Sequence, residues 1–136
     1  MKLLIDTNII LDALLERKPW AYAAQKILLA IAEEAAYGCI TASSLTDLHY
    51  LLRKYLHNNE KTRQVLLGLL ESIDVLDVTK SDCQKAFDLP MVDYEDALLA
   101  YCALRHKVDL IVTRNPRHFE HSPVKPISPE DLLKKL

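Results

Sequence analysis

The feature that most constrains this chain is the way two hydrophobic periods alternate along it. Short unbroken apolar runs, Leu3-Leu4-Ile5, Cys39-Ile40-Thr41 and Leu110-Ile111-Val112, are separated by longer stretches with helical spacing. A strand that is apolar on both faces must be covered on both faces, and the usual solution is a parallel sheet between helices. The spacing predicts strands over residues 3–5, 39–41, 74–78, 110–112 and 124–127. It predicts helices over 9–17, 20–34, 44–56, 60–72, 81–87 and 93–107, and a last helix opening at Ser128-Pro129. Ser43 or Ser44 is the expected cap of the third helix. A chain of 136 residues supplies one core and is too short for two, so residues 1–136 are expected to form a single α/β domain. In such folds ligands bind beyond the carboxyl ends of the strands, where the strand order reverses.

Several function classes fall away on composition. No apolar run approaches the ~20 residues that span a bilayer. The N-terminal segment reaches Asp6 too early for a secretory leader, so a cytoplasmic protein without membrane association is expected. Cys39, Cys83 and Cys102 are an odd, scattered set, which argues for small core residues over a disulfide framework or a zinc site. With only two glycines there is no phosphate-cradling loop and no dinucleotide fingerprint. The formal net charge of −2 means that any contact with nucleic acid must rest on a local basic patch or on bound metal.

The polar residues expected at the strand ends then carry the chemistry. Asp6 closes the first strand, where it either enters a site at the sheet edge or caps the next helix. On a helical wheel for residues 93–107, Asp96 falls in the middle of the arc of Leu99, Ala100, Ala103 and Leu104. Tyr94, Glu95, Tyr101, Arg105 and His106 share the opposite arc. A carboxylate that faces the sheet must be paired, hydrogen-bonded or metal-bound. Asp93 lies one turn before it, and the two also fit a capping pair at a helix N-terminus. Asp47 flanks the apolar stripe of its helix and reads equally well as a solvated surface residue. Asp12 shares a polar arc with Glu16 and reads as surface, so that Asp12→Asn should do almost nothing. Thr113-Arg114-Asn115 follows the fourth strand directly, at the same edge as Asp6. Thr113 and Asn115 are suited to orienting a carboxylate or a water, and Arg114, Arg117 and His118 lend the loop positive charge. Carboxylates gathered at one edge are the hard oxygen donors that Mg²⁺ or Mn²⁺ takes, with water completing the shell. An ion held in this way activates water against a phosphodiester.

The ordered set Leu3-Leu4-Ile5-Asp6-Thr7-Asn8, Asp96-Ala97-Leu98-Leu99-Ala100 with Ala103, and Ile111-Val112-Thr113-Arg114-Asn115 with His118-Phe119 resembles the PIN-domain ribonucleases. That family includes the toxins of prokaryotic toxin–antitoxin pairs. The resemblance runs through essentially the whole chain. It implies a PIN-like three-layer sandwich with a parallel sheet of about five strands covered by helices on both faces. It also implies an Mg²⁺- or Mn²⁺-dependent endoribonuclease acting on RNA, a homodimer, and for a toxin a small antitoxin partner. Asp6 matches the first family acid and Asp96 the third, the pair expected to bind metal. Asp47 stands where the family usually has Glu. Asn115 stands at the fourth acidic position, with Asp93 available to supply the missing charge. A catalytically weakened RNA- or protein-binding module is the alternative that Asn115 keeps open. An aspartyl phosphatase with Asp6 as nucleophile is disfavoured, because Asn8 stands where that chemistry needs a second Asp.

Overall fold

The computed structural model describes residues 1–136. Five strands form one wholly parallel sheet: β1 (Lys2–Ile5), β2 (Tyr37–Thr41), β3 (Asp74–Leu76), β4 (Leu110–Val112) and β5 (Pro126–Ile127). Their spatial order is β3-β2-β1-β4-β5. The helices are α1 (Thr7–Leu14), α2 (Ala21–Ala32), α3 (Ala42–Leu56), α4 (Asn59–Leu69), α5 (Lys80–Ala86), α6 (Tyr94–Arg105) and α7 (Pro129–Leu133), with a 3-10 turn at Pro116–Phe119. Every expected element is present, most of them shorter than the sequence suggested. The third strand stops at Leu76 rather than residue 78, and the fifth is only Pro126–Ile127.

The sheet is covered on both faces because its central strands are apolar at successive positions. Leu3 and Ile5 join one buried cluster with Ile9 and Ile10 of α1, Ile27 of α2, Leu48 and Leu52 of α3 and Leu132 of α7. Leu4, between them, points into a second cluster with Cys39, Ile111, Leu99, Ala100, Ala103 and Phe119. Leu3, Leu4 and Ile5 are fully buried, each contributing roughly 1.5–3 kcal/mol of transfer free energy. The small Ala100 and Ala103 let α6 lie close to the sheet. Gly38 has no side chain because Ile31 of α2 fills the space where one would project. Cys39 and Cys102 are buried in the core, as expected of small apolar residues, while Cys83 is partly exposed.

Local capping differs in detail from expectation. Thr41, not Ser43 or Ser44, caps α3, its hydroxyl oxygen accepting from the Ser44 amide at 3.2 Å. The wheel reading of α6 also needs one correction. Leu104 is 47% exposed, because the packed stripe is centred on Leu99, Ala100 and Ala103 and leaves Leu104 at its edge. Arg105 stands off the packed arc as expected, and its Nε and Nη2 donate to both oxygens of the fully buried Asp82 at 2.7 and 2.8 Å, tying α5 to α6.

The largest departure is Asp12. It is fully buried, not a surface residue. Its Oδ1 accepts from Arg17 Nε at 2.9 Å and from Arg114 Nη2 at 3.1 Å, and its Oδ2 lies 2.8 Å from Arg114 Nε. The polar side of α1 is covered by the segment that follows β4, and Asp12 is the residue that receives it.

Candidate active site

The strand order reverses between β1 and β4, since the chain builds outward from β1 to β2 and β3 on one side and to β4 and β5 on the other. These two strands pair in register, Ile5 beside Val112. The next residues, Asp6 and Thr113, therefore leave the sheet side by side at its carboxyl edge, with the Asp6 amide donating to the Val112 carbonyl at 3.0 Å.

Asp6 stands at the N-cap position of α1 but makes no side-chain capping bond. Its Oδ2 instead accepts from the Thr113 hydroxyl at 3.0 Å. Thr113 is buried, its amide donates to the Ile127 carbonyl at 3.0 Å, and its hydroxyl oxygen accepts from the Asn115 amide at 3.2 Å. A hydroxyl held by the Asn115 amide, on a residue whose backbone is tied to β5, orients the Asp6 carboxylate.

Asp96 reaches the same cleft from the first turn of α6. Asp93 caps that helix, its Oδ1 accepting from the Asp96 amide at 3.0 Å. The capping reading of Asp93 therefore holds, while the Asp96 carboxylate makes no hydrogen bond within the chain and borders the cleft. The cleft has a volume of 620 Å³ and includes Asp6, Asp47, Glu95, Asp96, Thr113, Arg114, Asn115 and His118 in its lining. Asp47 and Asn115 are both exposed on its walls. Asp93 is not in this cleft; it borders a smaller 300 Å³ recess beyond Asp96, with Arg117 and His121. Glu95 and His118 were not singled out as site residues in the sequence. Glu95 lay on the arc opposite Asp96, and His118 stood out only as loop charge.

Electrostatics mark the two central acids. Burial raises the pKa of Asp6, against the lowering pull of the Thr113 hydroxyl, the Thr7 amide, Arg114 and His118. Asp96 is pushed up to about 6, first by burial and then by the charges of Asp93 and Asp6, while His118 pulls it back. A carboxyl group whose folded pKa exceeds its unfolded one destabilises the fold above that value, and the penalty is relieved as pH falls through it. In metal-free protein, the melting temperature of the wild type relative to Asp96→Asn should therefore rise as pH is lowered from 7 to 4.5, with the rise setting in near 6 and continuing toward the ordinary carboxylate range. Parallel melting curves across that range would refute the assignment of the perturbed group.

No three acidic, histidine or cysteine side chains converge tightly enough to cage an ion by themselves. What the cleft offers is a pair of crowded carboxylates with neutral oxygen donors beside them. That set fits a hard cation which keeps several waters and takes one or two carboxylates, as Mg²⁺ does.

A family model described as "PIN domain" matches residues 2–117, from β1 into the turn after β4, and so spans every residue of the cleft lining except His118. The chain belongs to the PIN domain family. No curated protein matches in sequence. Solved structures agree on the PIN fold. VapBC2 of Rickettsia felis, bound to a DNA fragment from its promoter, superposes with a TM-score of 0.73 at 19% identity, covering 94% of this chain and 98% of that one. DNA-bound VapBC of Salmonella typhimurium gives 0.69 at 22% identity, covering 95% and 98%. VapC20 of Mycobacterium tuberculosis, a toxin that cleaves the sarcin-ricin loop, gives 0.63 at 12% identity, covering 80% and 86%. The PIN-like parallel sandwich expected from the sequence is thus the fold observed.

Proposed function

We propose that this PIN domain is a metal-dependent endoribonuclease, and that Asp6 and Asp96 are the residues that hold the ion. The observation that carries the reading is the crowding of these two acids at the β1–β4 edge. Both carboxyls are raised first by burial, and the charge of Asp6 adds to the shift of Asp96; acids held in this way are a mark of a site for a cation or a proton. When bound, Mg²⁺ or Mn²⁺ supplies an activated water and neutralises charge on the phosphodiester. Thr113 holds Asp6 in its ligating orientation. Asp47 and Asn115, both in the cleft lining, would help to orient a water there, and Asp93 keeps the first turn of α6 in place while adding negative charge near Asp96. Asn115 is neutral where a fourth acid is expected, so this site carries one charge fewer.

The family and the toxin–antitoxin relatives support RNA as substrate and a small antitoxin as partner. Homodimerisation and a cytoplasmic site of action belong to the same reading. No helix is long and apolar enough to cross a membrane. Tyr50 and Tyr55 of α3 and Leu67 of α4 are exposed, apolar surface suited to a protein partner.

The test is cleavage of a mixed pool of single-stranded RNA in EDTA, Mg²⁺ and Mn²⁺. Scission in metal and none in EDTA is the expected result. A folded protein that cuts nothing under any of the three conditions would instead favour a binding module, with the neutral Asn115 as the first residue to replace by Asp.

A further inference from the structure

We propose that Arg114 is a phosphate-binding residue of the cleft, held in place for that task by the buried Asp12 and by the face of Trp20. The inference rests on the ribonuclease reading and identifies how an acidic chain holds a polyanion. Arg114 is the only lysine or arginine among the residues that line the cleft, where Asp6, Asp47, Glu95 and Asp96 supply four negative charges.

The anchoring is unusual in its excess. Asp12 has no solvent exposure and needs one cation for neutrality, yet it receives two guanidinium groups, from Arg17 and Arg114. The cluster therefore retains one positive charge. Arg17 does not line the cleft, and its Nη2 lies 3.4 Å from the carbonyl and side-chain oxygens of Asn8. Arg114 turns its Nε and Nη2 toward Asp12, and its guanidinium carbon sits over Trp20, 4.0 Å from the ring centroid. Its Nη1 makes no hydrogen bond within the chain. A planar fork fixed along one edge and one face presents its remaining N–H groups in a set direction. Such preorganisation suits a phosphate oxygen, which a flexible lysine would meet only as a point charge.

The test is binding of a fluorescent single-stranded RNA oligonucleotide in EDTA over a series of salt concentrations. The parent is Asp96→Asn, which prevents cleavage. Arg114→Gln in that parent should bind about tenfold more weakly at low salt, and the slope of log affinity against log salt should fall by about 0.7, one phosphate contact on a single strand. Arg17→Gln removes the other ion pair to Asp12 and should leave the slope unchanged. A merely structural role would move both variants alike, and that outcome overturns the proposal. If Arg114→Gln does not fold, Arg114→Lys keeps the charge without the fork: unchanged slope with severalfold weaker binding supports the proposal, and parental affinity overturns it. A parent that binds no RNA at the lowest salt overturns the ribonuclease reading as well. A parent that binds, with a slope indifferent to Arg114→Gln, overturns this inference alone.

Discussion

Asp96→Asn should reduce metal-dependent RNA cleavage on the order of 10³-fold or more, the scale seen when one group that stabilises developing charge is lost. It should do so without loss of structure. Asn fills the same volume, and the Asp96 carboxylate makes no hydrogen bond that the change would break. The same residue is electrostatically uncomfortable in the metal-free fold, with its pKa pushed up to about 6 by burial, Asp93 and Asp6. Removing its charge relieves repulsion with both neighbours, so the melting temperature at pH 7 should be unchanged or higher. Cleavage rates, thermal melts and calorimetric titration of Mg²⁺ check the three parts together. Activity within tenfold of wild type would place the chemistry elsewhere. A marked fall in melting temperature would mean that Asp96 serves packing.

The second large effect is expected on stability. Asp12→Ala should lower it by about 3 kcal/mol, the lower end for removing one partner of a buried ion pair. The lower end applies because Arg17 and Arg114 retain 33% and 22% side-chain exposure and recover some hydration once released. For a chain of this length that corresponds to a fall in melting temperature on the order of 10 °C. Urea denaturation of the metal-free protein is the direct measurement. A change below about 1 kcal/mol would show that the two arginines simply return to water and that the cluster holds nothing in place. The contrast between the two variants separates the acids of α1 and α6. One is inactive and stable; the other unfolds more readily and loses its hold on the loop after β4.

Much of the fold was legible because its signals are local. Leu3-Leu4-Ile5 and Leu110-Ile111-Val112 are too short and too apolar for anything but doubly covered strands, and Ser128-Pro129 opens α7 as its chemistry demands, with the Ser128 hydroxyl accepting from the Asp131 amide at 3.2 Å. Asp6 and Thr113 could be placed at one edge because both directly follow short apolar strands of a parallel sheet, whose last residues, Ile5 and Val112, pair. Asp96 was legible as a carboxylate on an otherwise apolar arc. The element ends were less so. β3 has no strand beside it beyond Leu76, because β2 gives way to α3 after Thr41, and only the register of the sheet decides this.

Asp12 shows where a single chain of letters stops being informative. Its wheel position beside Glu16 is that of a surface residue, and a helix considered alone gives it no reason to be buried. Its main partner, Arg114, lies 102 positions away and arrives through the β1–β4 pairing. Asp82 is partly a local matter, since its carboxylate accepts from the Thr79 amide in a capping box, but its charge is met by Arg105 on a different helix, 23 residues on. Periodicity, capping and turn chemistry act within a few residues, and they determined the class of fold, the order of its elements and the acids at the strand ends. Which charges meet in the interior, and which of them face the cleft, depends on long-range packing. That was decided only when the tertiary structure brought α1, Trp20 and the loop after β4 together, because a buried charge is tolerated only where a partner from elsewhere in the chain can reach it.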